Sequence, residues 1–150
     1  MNSPLIKRFG ECRIEDGESL IVVDLAECSG MDSTFMGTLA GMASRLSAAD
    51  GGVLQVAGAD ERNQRSLEDL GLDFLMQINP EAAPWEGELE EIRCALEPVE
   101  ADPVSQMQRA KLCLEAHEKL SDLSDKNARE FDQVVGTLRK QISDEPKSES

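Results

Sequence analysis

The most informative part of the sequence for the fold is residues 20–46, LIVVDLAECSGMDSTFMGTLAGMASRL. Its first four residues form an unbroken apolar run, which is typical of a parallel strand that is covered on both faces. Apolar residues then recur at the spacing of one helical face, at Phe35, Leu39, Met42 and Leu46. The stretch therefore predicts a buried strand, a polar connection and an amphipathic helix that begins near Ser33.

Strands and helices alternate on both sides of this stretch. Ser3 and Pro4 open a short helix that ends before Gly17, and a glycine turn leads to a second strand at residues 53–56. A third helix is expected to run from its cap at Asp60 to residue 70, followed by a third strand at residues 74–78. This alternation favours parallel pairing and predicts an α/β fold with a small sheet.

Ser33 is expected to stand at or beside the N-cap of the second helix, where its hydroxyl can accept from a free backbone N–H. A phosphate there would meet free N–H groups and the positive end of the helix dipole, so the helix would tolerate it. A partner that packs on this corner would have to desolvate about two further charges beside Asp32. Modification of Ser33 is thus expected to act on binding more than on folding, although from the residues alone a simple cap is the alternative.

Residues 22–46, VVDLAECSGMDSTFMGTLAGMASRL, resemble the signature of the STAS family, the domain shared by sulfate transporters and bacterial anti-sigma factor antagonists. In that signature a strand ending in Asp-Leu leads to Met-Asp-Ser and a helix with an early glycine. The runs GVLQVA at residues 52–57 and LGLDF at residues 70–74 follow at the family's spacing, so the resemblance covers about half of the chain. STAS domains usually begin with two strands, whereas only Met1 and Asn2 precede the first helix here. Either those strands are missing, or the true start of the gene lies upstream.

The resemblance implies a phosphorylation-switched interaction domain. Ser33 corresponds to the serine that an anti-sigma factor with serine kinase activity phosphorylates, and Thr34 is the less favoured acceptor. The unphosphorylated chain would bind the anti-sigma factor, and a serine phosphatase would restore that form. The alternative is a constitutive scaffold or oligomerisation module in which Ser33 is only a helix cap. The residues expected to contact the partner are Asp24, Met31, Asp32, Ser33, Thr34, Phe35, Met36 and Gly37.

No catalytic or metal-binding residues are predicted, and no cofactor is expected. A nucleophile elbow needs glycines on both sides of the serine, at positions that Met31 and Phe35 occupy. His117, the only histidine, is expected on the surface of a C-terminal helix, with no reason to approach Ser33. The four cysteines form no CxxC pair, so they are expected to be reduced structural thiols.

The net charge of −15 argues against nucleic acid and anionic membranes as partners, since both select clustered Lys and Arg. No run approaches the roughly 20 apolar residues of a membrane span, and residues 1–10 lack the apolar core of a signal peptide. The bacterial cytoplasm, which also suits free thiols, is therefore the expected compartment.

The second half of the chain is predicted to be helical. A helix is predicted from the spacing of Leu89, Ile92 and Leu96, and Pro98 is expected to end it. Trp85 is expected to pack this helix onto the domain, which would end at residue 98. A C-terminal extension over residues 99–143 is expected to begin at an Asp102 cap and to bend near residues 123–127. Residues 144–150 are expected to be a disordered tail. A homodimer through these helices or through an unpaired sheet edge is expected as a further partner arrangement.

Overall fold

The structure is a computed structural model that describes residues 3–49, 51–81, 83–97 and 103–144. It confirms the α/β class. Strands and helices alternate in the first half, and three helices follow. In chain order the elements are α1 (Ser3–Glu15), β1 (Leu20–Asp24), α2 (Ser33–Ala48), β2 (Val53–Ala57), α3 (Glu61–Asp69), β3 (Gln77–Ile78), α4 (Leu89–Ala95), α5 (Gln106–Ser121) and α6 (Asp125–Asp144).

Within the described residues the sheet has three parallel strands in the order β1-β2-β3. Ile21 on β1 lies beside Leu54 on β2, and these side chains enter the main core together with Leu39 and Leu46 of α2. Gln55 lies on the opposite face of the sheet, where its side chain donates to Gln77 at 2.6 Å. The sheet therefore packs on α2 with the face that carries the aliphatic residues.

Helix α2 is the centre of the molecule. Nine of its sixteen residues are buried, which is more than one amphipathic face supplies. The helix reaches this burial because it packs against the sheet and α1 and also against α5. Residues 20–46 thus form the strand and helix that were predicted, and the helix is covered on more sides than its pattern indicates.

The third strand is shorter than predicted. Gly71 adopts a left-handed backbone conformation with φ of 81°, which glycine reaches without strain, and a 3-10 turn at Leu72–Phe74 follows. Leu72 and Met76 point into the core, whereas Phe74 is 88% exposed. The buried residues Leu72 and Met76 are four positions apart, which is a helical spacing and not the alternation of a strand. Only Gln77–Ile78 pairs with β2.

The C-terminal helices fold back onto the α/β part. Leu120, Phe131 and Val135 belong to the same buried cluster as the sheet and α2, so the predicted extension shares one core with the domain. The predicted bend is confirmed, because α5 ends at Ser121 and α6 begins at Asp125.

The boundaries of this half differ in detail from the prediction. Helix α5 begins after Ser105, whose capping box with Gln108 provides the start that was assigned to Asp102. Asp144 is helical instead of part of a tail. Pro98, Asp102 and residues 145–150 lie outside the described residues. None of the helices in the described ranges is long and apolar enough to cross a membrane.

Candidate regulatory site at the start of α2

The N-cap of α2 is Asp32. Its carboxylate accepts a 2.7 Å hydrogen bond from the backbone N–H of Phe35, and Ser33 is the first helical residue. The prediction that Ser33 stands at or beside the cap is confirmed. The Ser33 hydroxyl does not provide the cap in this structure, and it bonds to α5 instead.

The Ser33 hydroxyl contacts the imidazole of His117 on α5, with 2.7 Å between Oγ and Nε2. His117 is only 4% exposed, and its Nδ1 lies 2.7 Å from the carbonyl oxygen of Cys113. Because a carbonyl can only accept, Nδ1 carries the proton in the neutral ring, which leaves Nε2 as the acceptor for the serine hydroxyl. The prediction of a surface histidine remote from Ser33 is wrong, since the fold-back of α5 places it on this corner.

Close packing between α2 and α5 holds this contact in place. Gly37 lies directly under Ala116, where a Cβ on residue 37 would overlap the Ala116 backbone. Thr34 Oγ1 lies 3.3 Å from Cys113 Sγ, and the His117 ring meets Phe131 of α6 edge-on at 5.3 Å between centroids. The sequence offered one sign of this arrangement: Cys113 and His117 are four residues apart and so share a helical face.

The predicted partner-contact residues divide into two groups by burial. Asp32 is exposed, and Met31, Ser33 and Thr34 are partly exposed. The next three residues are buried inside the chain: Phe35 and Met36 lie in the core, and Gly37 lies under α5. In this structure the accessible part of the corner is therefore the connection before α2 and the first helical turn.

Asp24 closes the end of β1 and holds α4. Its two carboxylate oxygens accept from Nε and Nη2 of Arg93 at 2.7 and 2.9 Å, and one of them also accepts from the Ala26 N–H. The hydrogen bond from Arg93 lowers the pKa of Asp24 below its ordinary value of 3.8, partly opposed by burial. Asp24 therefore positions α4 through a bidentate pair with Arg93.

The Asp24 pair should make stability depend on pH. The pKa of Asp24 is lower in the folded chain than in the unfolded chain. The ion pair therefore contributes its full stabilisation at pH values above the pKa of the unfolded chain, and this stabilisation is lost as the pH falls through the pKa of the folded chain. We expect Asp24→Asn to unfold at lower urea concentration than the native chain at neutral pH, with the difference shrinking below pH 3.8. Urea titrations of both proteins between neutral and acidic pH measure this, and a difference that persists in acid would contradict it.

The Ser33–His117 pair has the polarity of a nucleophile and its base, with the base oriented by a carbonyl. Catalysis also requires space for a substrate at Oγ. Among the described residues, two apolar cavities of about 320 and 640 Å³ are lined by residues other than Ser33 and His117. In the described part of the chain no three His, Cys, Asp or Glu side chains group as metal ligands.

Comparison with models of known protein families, with curated proteins and with solved structures gave no significant match.

Proposed function

We propose that this chain is a protein-interaction domain that is switched by phosphorylation of Ser33, similar to an anti-sigma factor antagonist. The observation that carries the proposal is the 2.7 Å hydrogen bond between Ser33 and the buried His117. It makes one modifiable hydroxyl the link between the exposed corner at Asp32 and the C-terminal helices.

The position of Ser33 favours a phosphate as a signal. At the first residue of α2 a phosphate gains from the positive end of the helix dipole, so the helix itself remains stable. Asp32 beside it is exposed and already negative. A partner that docks on the unphosphorylated corner would then face about two more charges next to Asp32, and the cost of desolvating them prevents docking.

Phosphorylation also changes the contact with α5. The ester oxygen no longer carries the proton that Ser33 donates, so Nε2 of His117 loses its donor in a site that is 4% exposed. The imidazole must then move away from the phosphate or take up a proton and pair with it. In both cases the packing of α5 on the first turn of α2 is rebuilt.

By this proposal the partners are an anti-sigma factor with serine kinase activity and a serine phosphatase, and the chain works in the bacterial cytoplasm. The chain is the substrate of these enzymes and has no catalysis of its own. The second candidate is a scaffold in which the Ser33–His117 bond only fastens α5. The burial of Leu120, Phe131 and Val135 within one core favours that candidate, because the C-terminal helices already have a structural task.

The test compares three forms of the full chain: native, Ser33→Ala, and a form with phosphoserine installed at position 33. We expect the phosphorylated chain to capture at least about tenfold less protein than the native chain from an extract of the producing cells, since two added charges must be desolvated. Ser33→Ala also removes the hydrogen bond to His117 but adds no charge, so it should capture the same proteins as the native chain. Mass spectrometry identifies and quantifies the captured proteins, among which a kinase of the anti-sigma type is expected.

Phosphoserine at position 47 is the matched control, because Ser47 is an exposed residue near the other end of α2. This form should capture as much as the native chain. Equal capture by all forms would instead favour the scaffold. Labelling of Ser33 by a fluorophosphonate reagent would contradict the absence of catalysis, because such reagents react with activated serines.

A further inference from the structure

A second surface lies along the outer edge of β1. Because the sheet order is β1-β2-β3, no strand within the described residues pairs with β1 on that side. At the two ends of β1 the backbone bonds to β2. The Ser19 carbonyl accepts from the Val53 N–H, and the Leu25 N–H donates to the Ala57 carbonyl, both at 2.8 Å. Backbone groups of a parallel strand alternate between its two neighbours, so Leu20 and Val22 turn theirs outward.

This edge is the floor of an apolar groove of about 640 Å³. Helix α1 forms one wall with Ile6 and Phe9, and the α4 region forms the other with Trp85, Ile92 and Leu96. Among these, Phe9 is 55% exposed, Ile92 46% and Leu96 66%, although each is a large apolar residue. Such a concentration of exposed apolar surface marks an interaction site.

The walls of the groove are held by specific contacts. Arg93 fixes α4 to Asp24 at the end of β1 with two hydrogen bonds, and Trp85 donates to Gln55 on β2 at 2.6 Å. Helix α1 is joined to α2 by the ion pair of Glu11 with Arg45 at 3.0 Å. The groove is therefore preformed, and a ligand need not order its walls on binding.

We propose that this groove binds an extended segment of another protein, which adds to the sheet as a strand beside β1. The free backbone edge selects an extended chain over a helix, because only an extended chain can pair with it. Apolar walls on both faces select consecutive β-branched or aliphatic residues, as in β1 itself. The five residues of β1 offer a pairing length of about 17 Å.

Charge indicates what flanks this apolar run. The α4 wall and the turn before it carry exposed glutamates, whereas Arg93 is already bound to Asp24. The whole chain has a net charge of −15. A segment with Lys or Arg on either side of its apolar residues is therefore favoured. The exposed glutamates are Glu86, Glu88, Glu90, Glu91 and Glu97, of which Glu90 also contacts Arg93.

A second copy of this chain fits the groove less well. Two copies at −15 repel each other. Antiparallel pairing of β1 with its equivalent would also bring the α1 and α4 walls of each copy against those of the other, where the acidic α4 regions would meet. The occupant must instead present a strand without flanking helices, as an unstructured segment does.

The test uses a phage library that displays short random peptides. Phage that bind the full native chain are retained, and those that also bind the Phe9→Asp variant are removed. We expect the enriched peptides to share four or five consecutive β-branched or aliphatic residues flanked by Lys or Arg. Their binding should shift the emission of Trp85, the only tryptophan. It should also slow hydrogen exchange at the Leu20 and Val22 amides by about tenfold or more, because these N–H groups become paired.

Phe9→Asp and Ile92→Asp, on opposite walls, should each weaken the selected peptide by about tenfold or more. Phe74→Asp is the matched control, since Phe74 is 88% exposed and lies outside the groove, and it should leave the affinity unchanged. The proposal is overturned if no peptide is enriched over Phe9→Asp, if the enriched peptides have a helical apolar spacing, or if sedimentation shows a dimer that Phe9→Asp dissolves. Phosphoserine at position 33 plays no part in these measurements, so this proposal fails or holds separately from the switch.

Discussion

Gly37→Ala is expected to lower the free energy of unfolding by about 2 kcal/mol, because an added methyl group at this closely packed position forces α5 away from α2. The new Cβ would lie 2.7 Å from the Cβ of Ala116 and overlap the Ala116 backbone, which cannot rotate aside as a flexible side chain could. Urea denaturation measures the loss. Hydrogen exchange should show it concentrated in α5, with faster exchange around Ala116 and His117.

Gly41→Ala is the matched control for this variant. Gly41 lies one turn further along α2, and a Cβ there would meet open space. Since alanine is the better helix former, Gly41→Ala should raise the free energy of unfolding by about 0.5–1 kcal/mol. If both variants raised stability equally, the close contact between α2 and α5 would be contradicted.

Asn127→Ala is expected to cost about 3 kcal/mol, the larger of the two effects. Asn127 is completely buried, and its amide nitrogen donates to the carbonyls of Leu70 and Leu120, both at 2.9 Å. Removing the amide leaves two buried carbonyls without this donor and a small cavity where α6 meets the end of α3. Urea denaturation at neutral pH measures the change.

Gln133→Ala tests whether the loss is specific to this position. Gln133 is an exposed residue of the same helix, so its replacement should change the free energy of unfolding by less than about 0.5 kcal/mol. A loss below about 1 kcal/mol for Asn127→Ala would show that the two carbonyls find other donors, and that the amide does not fasten α6 to α3.

The elements that the sequence predicts well are those decided by local pattern. The apolar run of β1 and the helical spacing from Phe35 to Leu46 are contained within residues 20–46, and the α/β class follows from alternation. The third strand is predicted too long because a short apolar run fits the period of a strand and that of a helix equally well. In the structure Gly71 is left-handed, and a 3-10 turn at Leu72–Phe74 follows it.

The candidate site was predictable only in part. Asp32 and Ser33 are both good N-cap residues, so the sequence does not decide between them, whereas the structure uses Asp32. The contact between Ser33 and His117 joins positions 84 residues apart and depends on the close approach that Gly37 permits. No local pattern encodes that approach, because it arises from tertiary packing of two separate helices.

The fold-back of α5 also has a consequence for the order of events during protein synthesis. The ribosome makes residues 3–97 before it makes the helix that carries His117, so the Ser33 corner of the nascent chain is uncovered until α5 has been made. An enzyme that acts while the chain is still emerging would reach the serine without first displacing α5. Under the proposed switch, the speed of elongation through the codons of α5 would then influence how many new molecules leave the ribosome already modified.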